Sequence, residues 1–350
     1  LDINNACRVG TMTLDFILTV GALSLGYGIR ALVTVYTLGI VVYLVVIAII
    51  VARLLPEVRI RPWLARWRHL RAIAALGGKM QALGTVALLV SQLDILLFMR
   101  YGGPAFVGAY GAAQKFAQRA QGAALQGFGA LAPASADMMA RQDHDTLGRI
   151  YGGALRLVAV GCAYLFAFTA VNSDAVMHFV MGDKFEPIAA YTLVVLSIGY
   201  FVHTLTGPGS SMLRGAGMPL REIAYQSLVA VCFVGMYLFL RESDDGRQMI
   251  TLWPVSLIAG SLAFMVLANR FFGVGLATPF FNMLLPLVAA PLLAGAVRLL
   301  WEVAPLPAPD DRWTALAAIL ALGAVYTPLY LAAAWCLPGL TADDKSAMVR

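Results

Sequence analysis

The chain has 350 residues, of which 60% are hydrophobic and 13% charged, and its formal net charge is +6. A soluble protein carries charges on roughly a quarter of its residues, so this composition excludes an ordinary soluble domain. The basic excess shows no aromatic–basic interleaving, and we expect no nucleic-acid partner.

Uncharged stretches recur along the whole chain. Residues 31–52, for example, contain no charge and exceed the roughly 20 helical residues that cross a hydrocarbon core. Segments this long and uniform suit helices rather than barrel strands, so the predicted fold is all-α and integral to the membrane, with about ten transmembrane helices. In chain order these lie near 10–29, 31–52, 80–99, 104–133, 150–171, 187–206, 223–240, 249–269, 275–300 and 313–337.

The link between the second and third spans is strongly basic. Short cytoplasmic loops carry an excess of Lys and Arg, so we expect this link, and with ten spans both chain ends, to be cytoplasmic. The chain starts without Met or a signal-peptide pattern, and we interpret it as an excerpt of a longer protein. The basic residues of the link are Arg53, Arg59, Arg61, Arg66, Arg68, Arg71 and Lys79.

Charges occur where lipid is expected around the Gly102–Pro104 turn. At ~1.5 Å per residue, Asp94 lies about 12 Å and Lys115 about 17 Å from this turn. One interpretation is an Asp94–Lys115 ion pair that locks two antiparallel helices. The other is a solvated cavity with cationic walls, because charge exposed to lipid at the bilayer centre costs ~3 kcal/mol or more.

The charged helix carries a polar stripe at helical spacing, formed by Lys115, Gln118, Arg119 and Gln126. We take these residues, with Asp94, as candidates for substrate binding. Arg156, about 9 Å into its span, either reaches the interface or joins the cavity.

Motifs of catalysis or cofactor binding are not apparent. The sequence shows no P-loop, GxSxG or HExxH motif, and its four Cys and four His residues are scattered. We therefore expect no enzyme activity, catalytic residue, metal or cofactor, while coupling to H⁺ or Na⁺ stays open.

Three segments resemble a known family, the polysaccharide and lipid-linked oligosaccharide flippases of the multidrug/oligosaccharidyl-lipid/polysaccharide exporter superfamily. The first is the run from Ser91 to Asp143, with its aspartate, turn, lysine and terminal Pro-x-Ser. The second, residues 181–200, is similar to an interfacial Gly-x-x-Phe element, and the third, residues 209–223, to a Leu-x-Gly-x-Gly crossing.

The resemblance implies two six-helix lobes around a cavity that opens alternately to either face, with about four N-terminal helices absent from this chain. Residues 1–55 would be the last two helices of the N-terminal lobe, and 56–79 the cytoplasmic linker between lobes. Residues 80–241 would form the core of the C-terminal lobe, 242–273 its sixth helix, and 274–350 two extra helices with a short cytoplasmic tail.

The expected function is export of a polyprenyl-pyrophosphate-linked oligosaccharide across the bacterial inner membrane for O-antigen, capsule or exopolysaccharide assembly. Expected partners are this anionic lipid-linked sugar and membrane lipids, with other polysaccharide-assembly proteins as further candidates. A multidrug cation antiporter of the same superfamily is the first alternative. A polytopic glycosyl- or acyltransferase, or a polysaccharide polymerase, is a second.

Overall fold

The computed structural model describes residues 2–54, 67–242, 245–275, 277–303 and 311–336, and every secondary-structure element in these ranges is helical. These ranges contain twelve α-helices: α1 Asp2–Ser24, α2 Ile29–Leu54, α3 Trp67–Leu125, α4 Leu131–Ala140, α5 His144–Val171, α6 Ser173–Met181, α7 Pro187–Thr204, α8 Gly207–Gly215, α9 Leu220–Leu240, α10 Gly246–Phe271, α11 Ala277–Val303 and α12 Arg312–Cys336.

Eight helical stretches in the described ranges are long and apolar enough to cross a bilayer. The stretch Met80–Ala140 contains two predicted spans, and the shorter apolar helix Val9–Ser24 matches the first predicted span. Each of the ten predicted spans therefore overlaps a helix, and the predicted all-α membrane fold is confirmed. Three short helices, α4, α6 and α8, were not predicted as separate elements because each has only nine or ten residues.

The chain divides into two compact units, Leu1–Ala74 and Ala75–Arg350. In the first unit, α1 packs against α2, and the absence of a side chain at Gly39 leaves room for the Asp15 carboxylate. The predicted linker, 56–79, is described only in part. Residues 55–66 lie outside the described residues, and from Trp67 onward the predicted linker belongs to helix α3. The predicted cytoplasmic tail beyond Cys336 also lies outside them.

The second unit begins with a helical hairpin that sequence analysis predicted. Gly103 leaves the helical region (φ 71°, ψ −169°) and Pro104 follows it, so the chain folds back on itself. Ring centroids of Phe98 and Tyr110, on the two arms, are 4.8 Å apart. The end of the unit at this turn is called the Gly103 end. Here Arg247 lies over the ring of Tyr191.

The opposite end of the unit is called the Gly217 end, after the glycine (φ 76°) that follows α8. Here the guanidinium of Arg221 lies 4.6 Å from the ring centroid of Phe271. Between the two ends, α10 packs on α7 and α9, and α7 packs on α5. These helices and the α3 hairpin share one apolar core.

The last two helices dock on α5. Helix α11 packs against α5 and α12, and α12 also contacts α6. Tyr330 donates from its hydroxyl to the carbonyl oxygen of Val160 at 2.7 Å, while Tyr326 stacks on Tyr164 with ring centroids 5.1 Å apart. The hydroxyl of Tyr326 also donates to a backbone oxygen, that of Tyr164. Both buried tyrosines thus have a hydrogen-bond partner for their polar end.

Candidate functional site

Asp94 is fully buried between the two arms of the α3 hairpin. Its carboxylate accepts hydrogen bonds from the hydroxyl of Tyr110 at 2.5 Å, from the side-chain amide of Gln114 and from the backbone N–H of Ile95 at 2.8 Å. Three donors on one carboxylate balance much of the cost of removing it from water. We call Asp94, Tyr110 and Gln114 the buried carboxylate cluster.

Lys115 lies next to Gln114 in sequence but on another face of the helix. Successive residues of an α-helix are rotated by about 100°, so Tyr110 and Gln114 face Asp94 while Lys115 turns away and is exposed. Its Nζ atom lies 3.5 Å from Oε1 of Gln118. The structure thus gives Asp94 neutral hydrogen-bond donors in place of the Lys115 ion pair that sequence analysis kept open.

Gln118 connects this exposed face to the interior. Its side-chain amide donates to the hydroxyl of Tyr200 on α7 at 3.2 Å. Arg119, the next residue, is exposed like Lys115. The two cations therefore border a side chain that points between α3 and α7.

A cavity of about 330 Å³ lies beyond Gln118. Polar groups from four helices line it, together with apolar side chains of α3 and α10. One of them, His203, has its Nδ1 atom 3.1 Å from the hydroxyl of Ser261. The polar lining residues are Ser91, Gln118, Gln121, Tyr200, His203, Gln226 and Trp253.

A second cavity, of about 410 Å³, continues toward the Gly217 end and shares Gln121, His203 and Gln226 with the first. An ion pair borders it, with Nε of Arg214 3.1 Å from Oε2 of Glu222. Together the two cavities fall within the usual size range of ligand sites, roughly 300–1,000 Å³. We call the combined space the polar groove.

The remaining candidates lie elsewhere. Gln126 is exposed in the short 3₁₀ segment that follows α3. Arg156 lines a different cavity, at the Gly217 end of α5, with Arg149 and Arg270. The structure therefore brings Lys115, Gln118 and Arg119 together beside the groove, buries Asp94 behind them, and separates Gln126 and Arg156 from both.

Sequence analysis did not identify the residues of α7 and α9 that line the groove opposite α3. Tyr200, His203 and Gln226 are isolated polar residues in apolar helices, and no spacing in the sequence links them to α3. A polar side chain that faces lipid at membrane depth is costly. From this cost alone, sequence analysis could have predicted that these three residues face protein or water. Among the described residues, no three His, Cys, Asp or Glu side chains are placed to hold a metal ion.

The fold and the groove define a class: a multi-pass membrane protein whose helices enclose a polar space. Residues 4–190 match the family model described as polysaccharide biosynthesis protein, which covers more than half of the chain. The chain belongs to this family. Comparisons with curated proteins and with solved structures gave no match.

Proposed function

We propose that the protein is a flippase that moves a polyprenyl-pyrophosphate-linked oligosaccharide across the bacterial inner membrane by alternating access. Its family places the chain in polysaccharide biosynthesis, and its helices make it a multi-pass membrane protein. The observation that carries the proposal is the polar groove among these helices, with Lys115 and Arg119 on the adjoining face of α3.

The chemistry of the groove suits a sugar. Amide, hydroxyl and imidazole groups both donate and accept hydrogen bonds, as a carbohydrate with many hydroxyl groups requires. Gln118, Gln121 and Gln226 supply the amides, and Tyr200 and His203 supply the hydroxyl and the imidazole. These five residues are proposed to hold the oligosaccharide during its passage.

The diphosphate needs a different partner. A doubly ionised group attracts cations more strongly near a low-dielectric membrane than in bulk water. Arg214, which lines the groove, is paired with Glu222, so we assign the diphosphate to Lys115 and Arg119 on α3. Moving the lipid breaks and forms no covalent bond, so the proposed activity is transport rather than catalysis. Coupling to H⁺ or Na⁺ stays open.

The direction of transport follows from topology. The basic link extends into the first part of α3, which starts at Trp67 and then runs to the Gly103 turn. Applied to that link, the positive-inside rule supports a cytoplasmic location for the Gly217 end. The substrate would therefore enter near Arg214 and Glu222 and leave at the Gly103 end.

Export in cells tests the proposal. In a strain whose surface polysaccharide depends on this protein, Lys115→Gln with Arg119→Gln should reduce export at least about tenfold, because two charge-assisted contacts are lost. An immunoblot of membranes should show near-normal abundance, since both side chains are exposed.

The matched control is Arg141→Gln, at the Gly217 end. Arg141 is an exposed arginine that pairs with Asp137 at 3.0 Å and lies outside the groove, and its replacement should leave export unchanged. Normal export by a well-expressed double variant would refute the assignment of Lys115 and Arg119.

A further inference from the structure

A third cavity, separate from the two that form the polar groove, lies at the Gly217 end and is lined by charged residues. Its volume is about 940 Å³, and it lies between the first four turns of α5 and the corner that follows α10. Three arginines line it: Arg149 and Arg156 on α5, and Arg270 in the last turn of α10. We call it the arginine pocket.

Packing fixes the shape of this pocket. Gly148 lets the corner approach α5 closely, since a Cβ there would lie 2.7 Å from the carbonyl oxygen of Phe272. Tyr151 holds the same corner: its hydroxyl donates to Oδ1 of Asn269 at 2.8 Å, and its ring lies 4.6 Å from that of Phe272. Gly152 and Gly153 add no side chain to the lining. The cavity is therefore built by the backbone and by buried contacts, not by mobile side chains alone.

The charge balance of the pocket favours an anion. Asp145 is the acidic residue of the lining, against the three arginines. Asp143, just outside, caps α5 by accepting the backbone N–H of Thr146 at 3.0 Å. The start of a helix also carries a partial positive charge from its peptide dipoles. Arg149, meanwhile, donates to the hydroxyl of Thr146 at 3.0 Å, which orients its guanidinium in the pocket.

The depth of the arginines matches the edge of a membrane. Helix α5 has 28 residues, more than the roughly 20 needed to cross the hydrocarbon core. About 20 residues counted back from Val171 reach Gly152. Arg149 would then lie at the level of the head groups, and Arg156 roughly 6 Å deeper than Gly152, within reach of the interface through its long side chain.

Apolar side chains stand beside the cations. Ile150, Phe271, Phe272 and Val274 line the same cavity. A free phosphate ion would gain nothing from them, whereas a lipid bears acyl chains next to its phosphate. Basic pockets between transmembrane helices at the cytoplasmic side are suited to anionic lipid head groups.

We propose that the arginine pocket binds the phosphate of an anionic glycerophospholipid, with Arg149, Arg156 and Arg270 as donors. Guanidinium groups form paired, charge-assisted hydrogen bonds to phosphate oxygens. The site is independent of the proposed transport substrate, because none of its residues lines the polar groove. It would anchor the α10–α11 corner to the inner leaflet.

Lipid titration tests this proposal. The full chain, purified in a neutral detergent, is titrated with phosphatidylglycerol, with phosphatidylcholine and with inorganic phosphate, and binding is followed by the shift in thermal unfolding. We expect phosphatidylglycerol to stabilise the protein at concentrations at which the other two have no effect. Arg149→Gln and Arg270→Gln should each weaken this binding about tenfold, and both side chains are exposed, so folding should survive.

Two further variants guard against effects of misfolding. Asp145→Asn removes the opposing charge and should tighten binding of phosphatidylglycerol, a gain that a folding defect does not produce. Arg141→Gln, an exposed arginine at the same end but outside the pocket, should bind like the unaltered chain. Equal stabilisation by phosphatidylcholine would overturn the proposal, as would equal stabilisation by inorganic phosphate, or unchanged phosphatidylglycerol binding in both arginine variants.

Discussion

The buried carboxylate cluster and the exposed cations lie on the same helical hairpin, with Gln114 of the cluster next to Lys115, yet their environments differ. Asp94 has no exposed surface and three hydrogen-bond donors, whereas Lys115 and Arg119 are exposed. A fully satisfied buried group stabilises the hairpin and has little capacity left for a ligand. An exposed cation contributes little to stability and remains available to bind an anion. The comparison separates a structural role for Asp94 from the binding role that we propose for Lys115 and Arg119.

The largest effect that this comparison predicts is on stability. Asp94→Ala leaves the Tyr110 hydroxyl and the Gln114 amide buried without their acceptor, at a cost of ~1–3 kcal/mol for each group. We expect the free energy of unfolding to fall by about 3 kcal/mol, measured by denaturant titration of the purified protein in detergent.

Lys115→Gln is the control for this variant. It should change the same free energy by less than ~0.5 kcal/mol, as exposed substitutions usually do. A loss with Lys115→Gln as large as that with Asp94→Ala would restore the ion-pair interpretation, because removing either partner of a buried ion pair leaves the other charge uncompensated.

A smaller effect is expected when one donor of the cluster is removed. Tyr110→Phe deletes a single hydroxyl, and Asp94 keeps Gln114 and the backbone N–H of Ile95 as donors. The expected loss is about 1 kcal/mol by the same titration, with Tyr36→Phe, an exposed tyrosine of α2, as the neutral comparison. Equal behaviour of the two variants would show that the Tyr110 hydroxyl adds no stability.

Hydropathy made the fold predictable to a large extent. A helix in lipid must satisfy its backbone within itself, so apolar length alone locates the spans. The Gly103 turn was also readable, because glycine followed by proline interrupts a helix. The short helix α6 was not, since its nine residues are too few to cross the hydrocarbon core and so to be detected by apolar length.

The candidate site was only partly predictable. Helical spacing placed Lys115, Gln118 and Arg119 on neighbouring positions, and the structure keeps them together beside the groove. Spacing within one helix does not specify which neighbour packs against it. For that reason neither the partners of Asp94 nor the approach of Tyr200 and His203 could be derived, and Arg156 could not be assigned to its separate pocket.

Photo-crosslinking tests the central claim, that the polar groove beside Lys115 and Arg119 receives the lipid-linked sugar. A benzophenone side chain is placed at Gln121, which lines both cavities of the groove, and in a second protein at Leu96, an exposed leucine on the first arm of the hairpin. Membranes containing a radiolabelled polyprenyl-pyrophosphate-linked oligosaccharide are then irradiated. We expect labelling at position 121 that excess unlabelled substrate displaces, and that Lys115→Gln with Arg119→Gln lowers at least about tenfold. Equal labelling at positions 96 and 121, or labelling at 121 that the double substitution leaves unchanged, would contradict the account.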